Sequence, residues 1–185
     1  MSQRRWVPAR AVLVVVVALV LQISLVNDLR ISGAMGDVVL VVVVAAGITG
    51  GADRGATYGF AAGVLYDLLV DSPFGLTALT YALIGYVVGV VATTLQRTGG
   101  WWAVGMAAAA GAAQAILFTA LGNLVGVDYP FSEVPAIALA LALVAAVLVL
   151  PAERALWWVH GHPEPDRLEV VLRRVAVRPQ RGAAE

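Results

Sequence analysis

The sequence predicts an all-α, polytopic integral membrane protein with six transmembrane helices and both termini cytoplasmic, and three observations carry that prediction. First, 61% of the 185 residues are hydrophobic and 13% charged, whereas an ordinary soluble domain carries roughly 25% charged residues. With a mean hydropathy of +0.87, 12 acidic and 12 arginine side chains cannot solvate the exterior of so long a chain. Second, the charges cluster at the ends and in short gaps, leaving six apolar stretches close to the roughly 20 residues that a spanning helix needs. Third, the arginines sort to one side of a six-span arrangement. There is no cysteine, which excludes disulfides, thiol catalysis and Cys-ligated metals.

The six stretches are 7–26, 34–51, 55–70, 75–95, 101–127 and 134–152. The first begins among Arg4, Arg5 and Arg10, and with Ser32-Gly33-Ala34 downstream it imitates a secretory signal peptide. Asn27, Asp28 and Arg30 interrupt that pattern and further spans follow, so the first helix is expected to be retained. The second and third stretches are short, and Gly51-Ala52-Asp53-Arg54 between them reads as a tight turn. The run 38–44 is strand-like by propensity. An isolated strand in a bilayer would leave its backbone unpaired, so helix is expected there. The fourth stretch follows the compact turn Asp71-Ser72-Pro73-Phe74-Gly75. The fifth lies in a charge-free segment, 98–127, long enough to tilt. The sixth is the last before the composition turns polar.

With the N-terminus inside, Arg4, Arg5, Arg10, Arg54, Arg97, Arg154 and the five arginines of the tail fall in the cytoplasm, and only Arg30 falls outside. Asp28, Asp37, Asp67, Asp71, Asp128 and Glu133 take the other side, and all five tryptophans fall at the inner boundary, where indole rings favour the headgroup level. The organisation is therefore a six-helix transmembrane domain, 1–158, and a cytoplasmic arginine-rich tail, 159–185. In the tail, Asp166 is placed to cap a short helix with Leu168, Val171, Leu172 and Val175 at helical spacing beside Arg173 and Arg174. Such a stripe suits the anionic inner leaflet, or a cytoplasmic partner.

Chemistry-bearing residues are sparse. Gly55, Gly59 and Gly63 repeat every four residues, and Asp67 continues the series on the same helix face. Glycines cost a helix roughly 1 kcal/mol each, so the series implies a close helix contact: internal packing, with Gly85 and Gly89 as the facing groove, or an interface with another protein. Asp67 either reaches external water with Asp71 or is a buried acceptor holding neighbouring helices or a partner. Gln114, Asn123, Thr77, Thr80 and Tyr81 read as interhelical hydrogen-bonding groups. His160 and His162, without a third ligand, make a weak metal pattern. No phosphate loop or catalytic set is evident, so neither an enzyme nor a cofactor is expected, and nothing points to nucleic acid.

The block Gly59-Phe60-x-x-Gly63-x-x-x-Asp67-Leu68-Leu69, then Ser72-Pro73-Phe74-Gly75-Leu76-x-Ala78-Leu79, then Tyr81 and Gly85-Tyr86-x-x-Gly89, resembles the rod shape-determining protein MreD family over about 30 residues. Elsewhere the likeness is one of length, hydropathy and an Asp opening the second helix; Gly36 stands where this family would be expected to carry proline. The resemblance implies a non-catalytic scaffold in the bacterial cytoplasmic (inner) membrane that helps maintain cell shape by organising peptidoglycan synthesis. Its implied partners are MreC first, then MreB, RodA and a penicillin-binding transpeptidase. It also implies the six-helix fold of the substrate-binding subunits of energy-coupling-factor vitamin transporters. Such a subunit is the rival reading, in which Asp67, Asp71, Asp128 and Asn123 would line a pocket without an evident aromatic cage.

Overall fold

The computed structural model describes residues 7–28, 37–69, 74–95 and 100–160. Within them the chain forms six α-helices: α1 (Val7–Asp28), α2 (Val38–Gly50), α3 (Ala52–Leu69), α4 (Leu76–Thr94), α5 (Gly100–Leu124) and α6 (Val134–His160). A 3-10 turn, Phe131–Glu133, precedes α6, and no strand occurs among the described residues. Three of the helical segments, Leu76–Thr94, Trp101–Leu124 and Phe131–Val159, are long and apolar enough to cross a membrane on their own. Arg10–Gln22 and Val38–Gly50 are apolar but shorter. Large apolar side chains such as Phe60, Leu68, Val87, Leu139, Leu143 and Val147 are exposed, as expected of a surface solvated by lipid.

The valine run is helical, and α2 lies in the middle of the bundle. It contacts all five other helices, and ten successive residues, Val39 to Ile48, are buried. A helix that is apolar all round belongs in a core. Around it each neighbour turns in a periodic stripe. On α1 this is Val15, Ala18, Leu19 and Gln22; on α6 it is Leu141, Ala145, Val149, Glu153 and Leu156. On α5 the buried positions are small: Ala103, Ala107, Ala110 and Ala115.

Several boundaries differ from expectation. Gly51, with φ 81°, is the whole of the α2–α3 turn. Ala52, Asp53 and Arg54 already belong to α3, where Asp53 sits in the first turn and complements the helix dipole. α6 runs on to His160 and so carries Trp157 and Trp158 in its last turns. Arg10 lies over the Trp158 ring, 4.8 Å from its centroid, which places the start of α1 beside the end of α6. Trp6, Arg30, Asp71, Arg97 and His162 lie outside the described residues, as do the tail positions Leu168, Val171, Leu172, Arg173, Arg174 and Val175.

The glycine series lies in the α3–α4 contact. A methyl group on Gly55 would collide with the backbone of Gly85, one on Gly59 with that of Tyr81, and one on Gly63 with that of Ala78. Gly89 is closed in the same way by Ala52. This face is filled from within the chain and has no room for a further helix. Two glycines that the spacing did not single out behave alike: a methyl on Gly47 of α2 would stand 2.8 Å from Gly85 O, and one on Gly111 of α5 would stand 2.7 Å from Leu141 O. Gly59→Leu is therefore expected to destabilise the bundle by more than the roughly 1–3 kcal/mol of ordinary overpacking. Gly105→Ala, with nothing within 4 Å, should be neutral or slightly stabilising. Unfolding midpoints in mixed micelles distinguish the two.

Candidate functional site

Most buried polar groups of the bundle, Glu153 of α6 excepted, gather towards the end where α2 begins. A helix start exposes unpaired backbone N–H groups, and in an apolar surround each must find an acceptor inside the protein. Asp37 is the N-cap of α2, and its Oδ1 accepts from Leu40 N at 2.8 Å. Gln22, reaching across from α1, accepts from Val38 N through Oε1 at 2.6 Å. The Tyr81 hydroxyl, on α4, donates to Asp37 Oδ2. Asp37, Gln22 and Tyr81 are all buried, so one carboxyl group ties α2 to α4 while α1 covers the adjacent donor.

Asp67 does the same for α4. It is buried, and its Oδ2 accepts from Gly75 N at 2.9 Å and Ala78 N at 3.2 Å. Gly75, the N-cap of α4, has a left-handed φ of 92° and no side chain to offer, so a carboxylate from α3 supplies the cap. Of the two readings open for Asp67, the buried acceptor is the arrangement found.

The other polar residues diverge from the interhelical role expected of them. Thr80 donates to Leu76 O within its own helix. Asn123 bonds the backbone N–H and C=O of Tyr129, fastening the α5–α6 connection. Thr77 Oγ1 and Gln114 Oε1 are buried with no hydrogen-bond partner. Among the described residues no group of three or more His, Asp or Glu is placed to hold a metal.

A cavity of about 430 Å³ opens at this same end of the bundle. Buried Asp37, Thr77 and Tyr81 lie deep in it, and exposed Pro130 and Glu133 form its rim. Tyr66, Phe118 and Tyr129 present rings to it. The pocket of the rival sequence reading drew on Asp67, Asp71, Asp128 and Asn123 without an evident aromatic cage, and Asp71 lies outside the described residues. Instead Asp67 is turned to the α4 cap, neither Asp128 nor Asn123 is among the lining residues, and aromatic side chains are prominent. Gln22, Thr119 and Tyr129 carried no motif, and only their convergence in space marks them.

The family model described as rod shape-determining protein MreD matches residues 3–154. The chain belongs to the MreD family. Membership carries a role in rod shape determination and places the chain among structural membrane proteins rather than a known enzyme family. No curated protein and no solved structure matches the chain. In this MreD-family chain the resemblance block maps onto the α3–α4 hairpin: the glycines that bring the two helices together, Asp67 that caps α4, and Tyr81 that reaches α2.

Substitutions at two positions separate these caps. Asp67→Ala strands two backbone donors and should cost about 1–3 kcal/mol, while Asp67→Asn, keeping an acceptor oxygen, should cost less. Tyr81→Phe should cost a similar amount, about 1–3 kcal/mol, by leaving Asp37 with one bond fewer. Equilibrium unfolding of the purified variants in detergent reads both.

Proposed function

We propose that this chain is a non-catalytic, multi-pass scaffold of the bacterial inner membrane that helps maintain rod shape by organising peptidoglycan synthesis with the cell-elongation machinery. The observation that carries the reading is the family match over residues 3–154. The architecture supports it, because the polar groups that bond inside the bundle cap helices and tie them together, as the rigid core of a scaffold requires. MreC, with its single transmembrane helix, is the first partner proposed, with MreB, RodA and a penicillin-binding transpeptidase beyond it. The α3 glycine face is filled by α4, so a partner helix would meet one of the exposed apolar faces of the bundle.

The same reading puts both termini in the cytoplasm. Arg10, Arg54 and Arg154, with Trp101 and Trp158, lie towards one end of the bundle, and Asp37, Asp67, Asp128 and Glu133 towards the other. This is the polarity that the positive-inside rule favours. The arginine-rich tail would then meet the inner leaflet through Leu168, Val171, Leu172 and Val175, with Arg173 and Arg174 at the headgroups.

The native chain has no cysteine, so single substitutions report sidedness cleanly. Asp128→Cys should react with an impermeant maleimide in intact cells, and Arg154→Cys only after permeabilisation; the reverse pattern overturns the orientation. In a rod-shaped bacterium depleted of its own family member, expression of this chain should keep cells rod-shaped. Gentle detergent isolation from its native membranes should recover a bitopic MreC-like protein. Recovery of ATPase subunits with a stoichiometric small molecule, and no MreC-like protein, would overturn the scaffold in favour of a transporter subunit.

A further inference from the structure

We infer that the cavity at the α2 N-terminal end is a binding site for a small organic cation, a compact molecule bearing a primary ammonium group. The inference goes beyond the scaffold reading and starts from two polar atoms that the fold leaves unsatisfied. Thr77 Oγ1, on a residue only 1% exposed, and Gln114 Oε1 are both buried, both without a hydrogen-bond partner, and both on residues lining this cavity. Nearly all buried polar groups in folded proteins are partnered, and leaving one orphaned costs about 1–3 kcal/mol. For packing alone, valine and leucine at these positions would fill the same volume without that cost. A threonine and a glutamine facing one cavity from α4 and α5 therefore point to a ligand that completes their bonds.

The chemistry of the lining selects the ligand. Gln114 Oε1 can only accept. The Asp37 carboxyl group lies deep in the cavity and Glu133 stands at its rim, whereas none of the described arginines lines it. An anionic ligand would meet Glu133 at the rim with no compensating cation from these residues, while an ammonium group offers three donors to the acceptors of the lining and a charge that matches Glu133. The rings of Tyr66, Phe118 and Tyr129 line the same space, and aromatic faces attract cations, more strongly when water is excluded. A volume of about 430 Å³ lies within the roughly 300–1,000 Å³ of small-molecule sites.

The test uses the purified full chain in lipid nanodiscs free of amine-bearing headgroups, with no partner protein present, so its failure leaves the scaffold reading standing. Ethanolamine, putrescine and phenethylamine are titrated calorimetrically beside 3-phenylpropanoate, the carboxylate counterpart of the last. At least one amine is expected to bind saturably and raise the melting temperature, and the carboxylate to do neither. Gln114→Leu should weaken the amine about tenfold or more while leaving the ligand-free melting temperature unchanged or higher, which a merely structural glutamine would not do. Thr77→Val, of similar volume, provides a second variant should Gln114→Leu fail to fold, and Glu133→Gln should also weaken binding. Repeating the titration in discs containing phosphatidylethanolamine identifies the source: a weakened free amine means that a lipid headgroup supplies the ammonium, and an unchanged one means a free solute. No amine binding at millimolar concentration, equal binding of the carboxylate, or wild-type affinity in both Gln114→Leu and Thr77→Val overturns the inference.

Discussion

A helix of 13 residues, buried along ten of them in succession, sets the terms for this bundle. At about 1.5 Å per residue α2 is roughly 20 Å long, short of the roughly 30 Å of a bilayer's hydrocarbon core. Its first turn therefore ends among protein atoms, and its backbone donors must be met there. Asp37 and Gln22 meet two of them, and Tyr81 fixes the carboxyl group that does so. The other five helices all pack against α2, so the same bonds that satisfy its start also set where α1 and α4 lie.

The α3–α4 hairpin obeys the same constraint by different means. Hydrophobic attraction between helices is absent in lipid, leaving van der Waals contact and hydrogen bonds to hold them. Glycines at Gly55, Gly59 and Gly63 let the backbones of α3 and α4 approach closely enough for that contact to be extensive, and Asp67 at the end of the series closes the hairpin on the α4 cap. Gly85 serves twice, since both Gly47 of α2 and Gly55 of α3 press on it. α4 is thereby held between α2 and α3 by main chain more than by side chains, which makes this half of the protein intolerant of added volume.

The starts of α2 and α4 are both capped by carboxyl groups, from Asp37 at the α2 cap itself and from Asp67 of α3. The glycines of the family motif are internal, where α3 and α4 meet, while Phe60, Leu68, Phe74 and Tyr86 of the same motif are exposed. The cavity is the exception: beside well-partnered caps it keeps Thr77 and Gln114 unsatisfied, and natural proteins accept such local violations where a function requires them.

Apolar content and charge sorting are sums over residues that need no knowledge of contacts, and they suffice to mark a helical membrane protein. Helix number was legible for the same reason, and so was the closeness implied by glycines at steps of four, since that periodicity is a property of one helix. Gly85 and Gly89 were legible as the facing groove in one of two readings, and the contact of Gly55 with Gly85 selects it. The use of Asp67 was not legible, since it depended on Gly75 arriving within 2.9 Å of it. Gln22 belongs to no motif and acquires a role only because α1 brings its amide oxygen to Val38 N. The cavity is made of residues from as far apart as Gln22 and Leu141, and it comes from the packing of the helices: hydrogen bonds and voids between helices depend on register and crossing, which no single helix encodes.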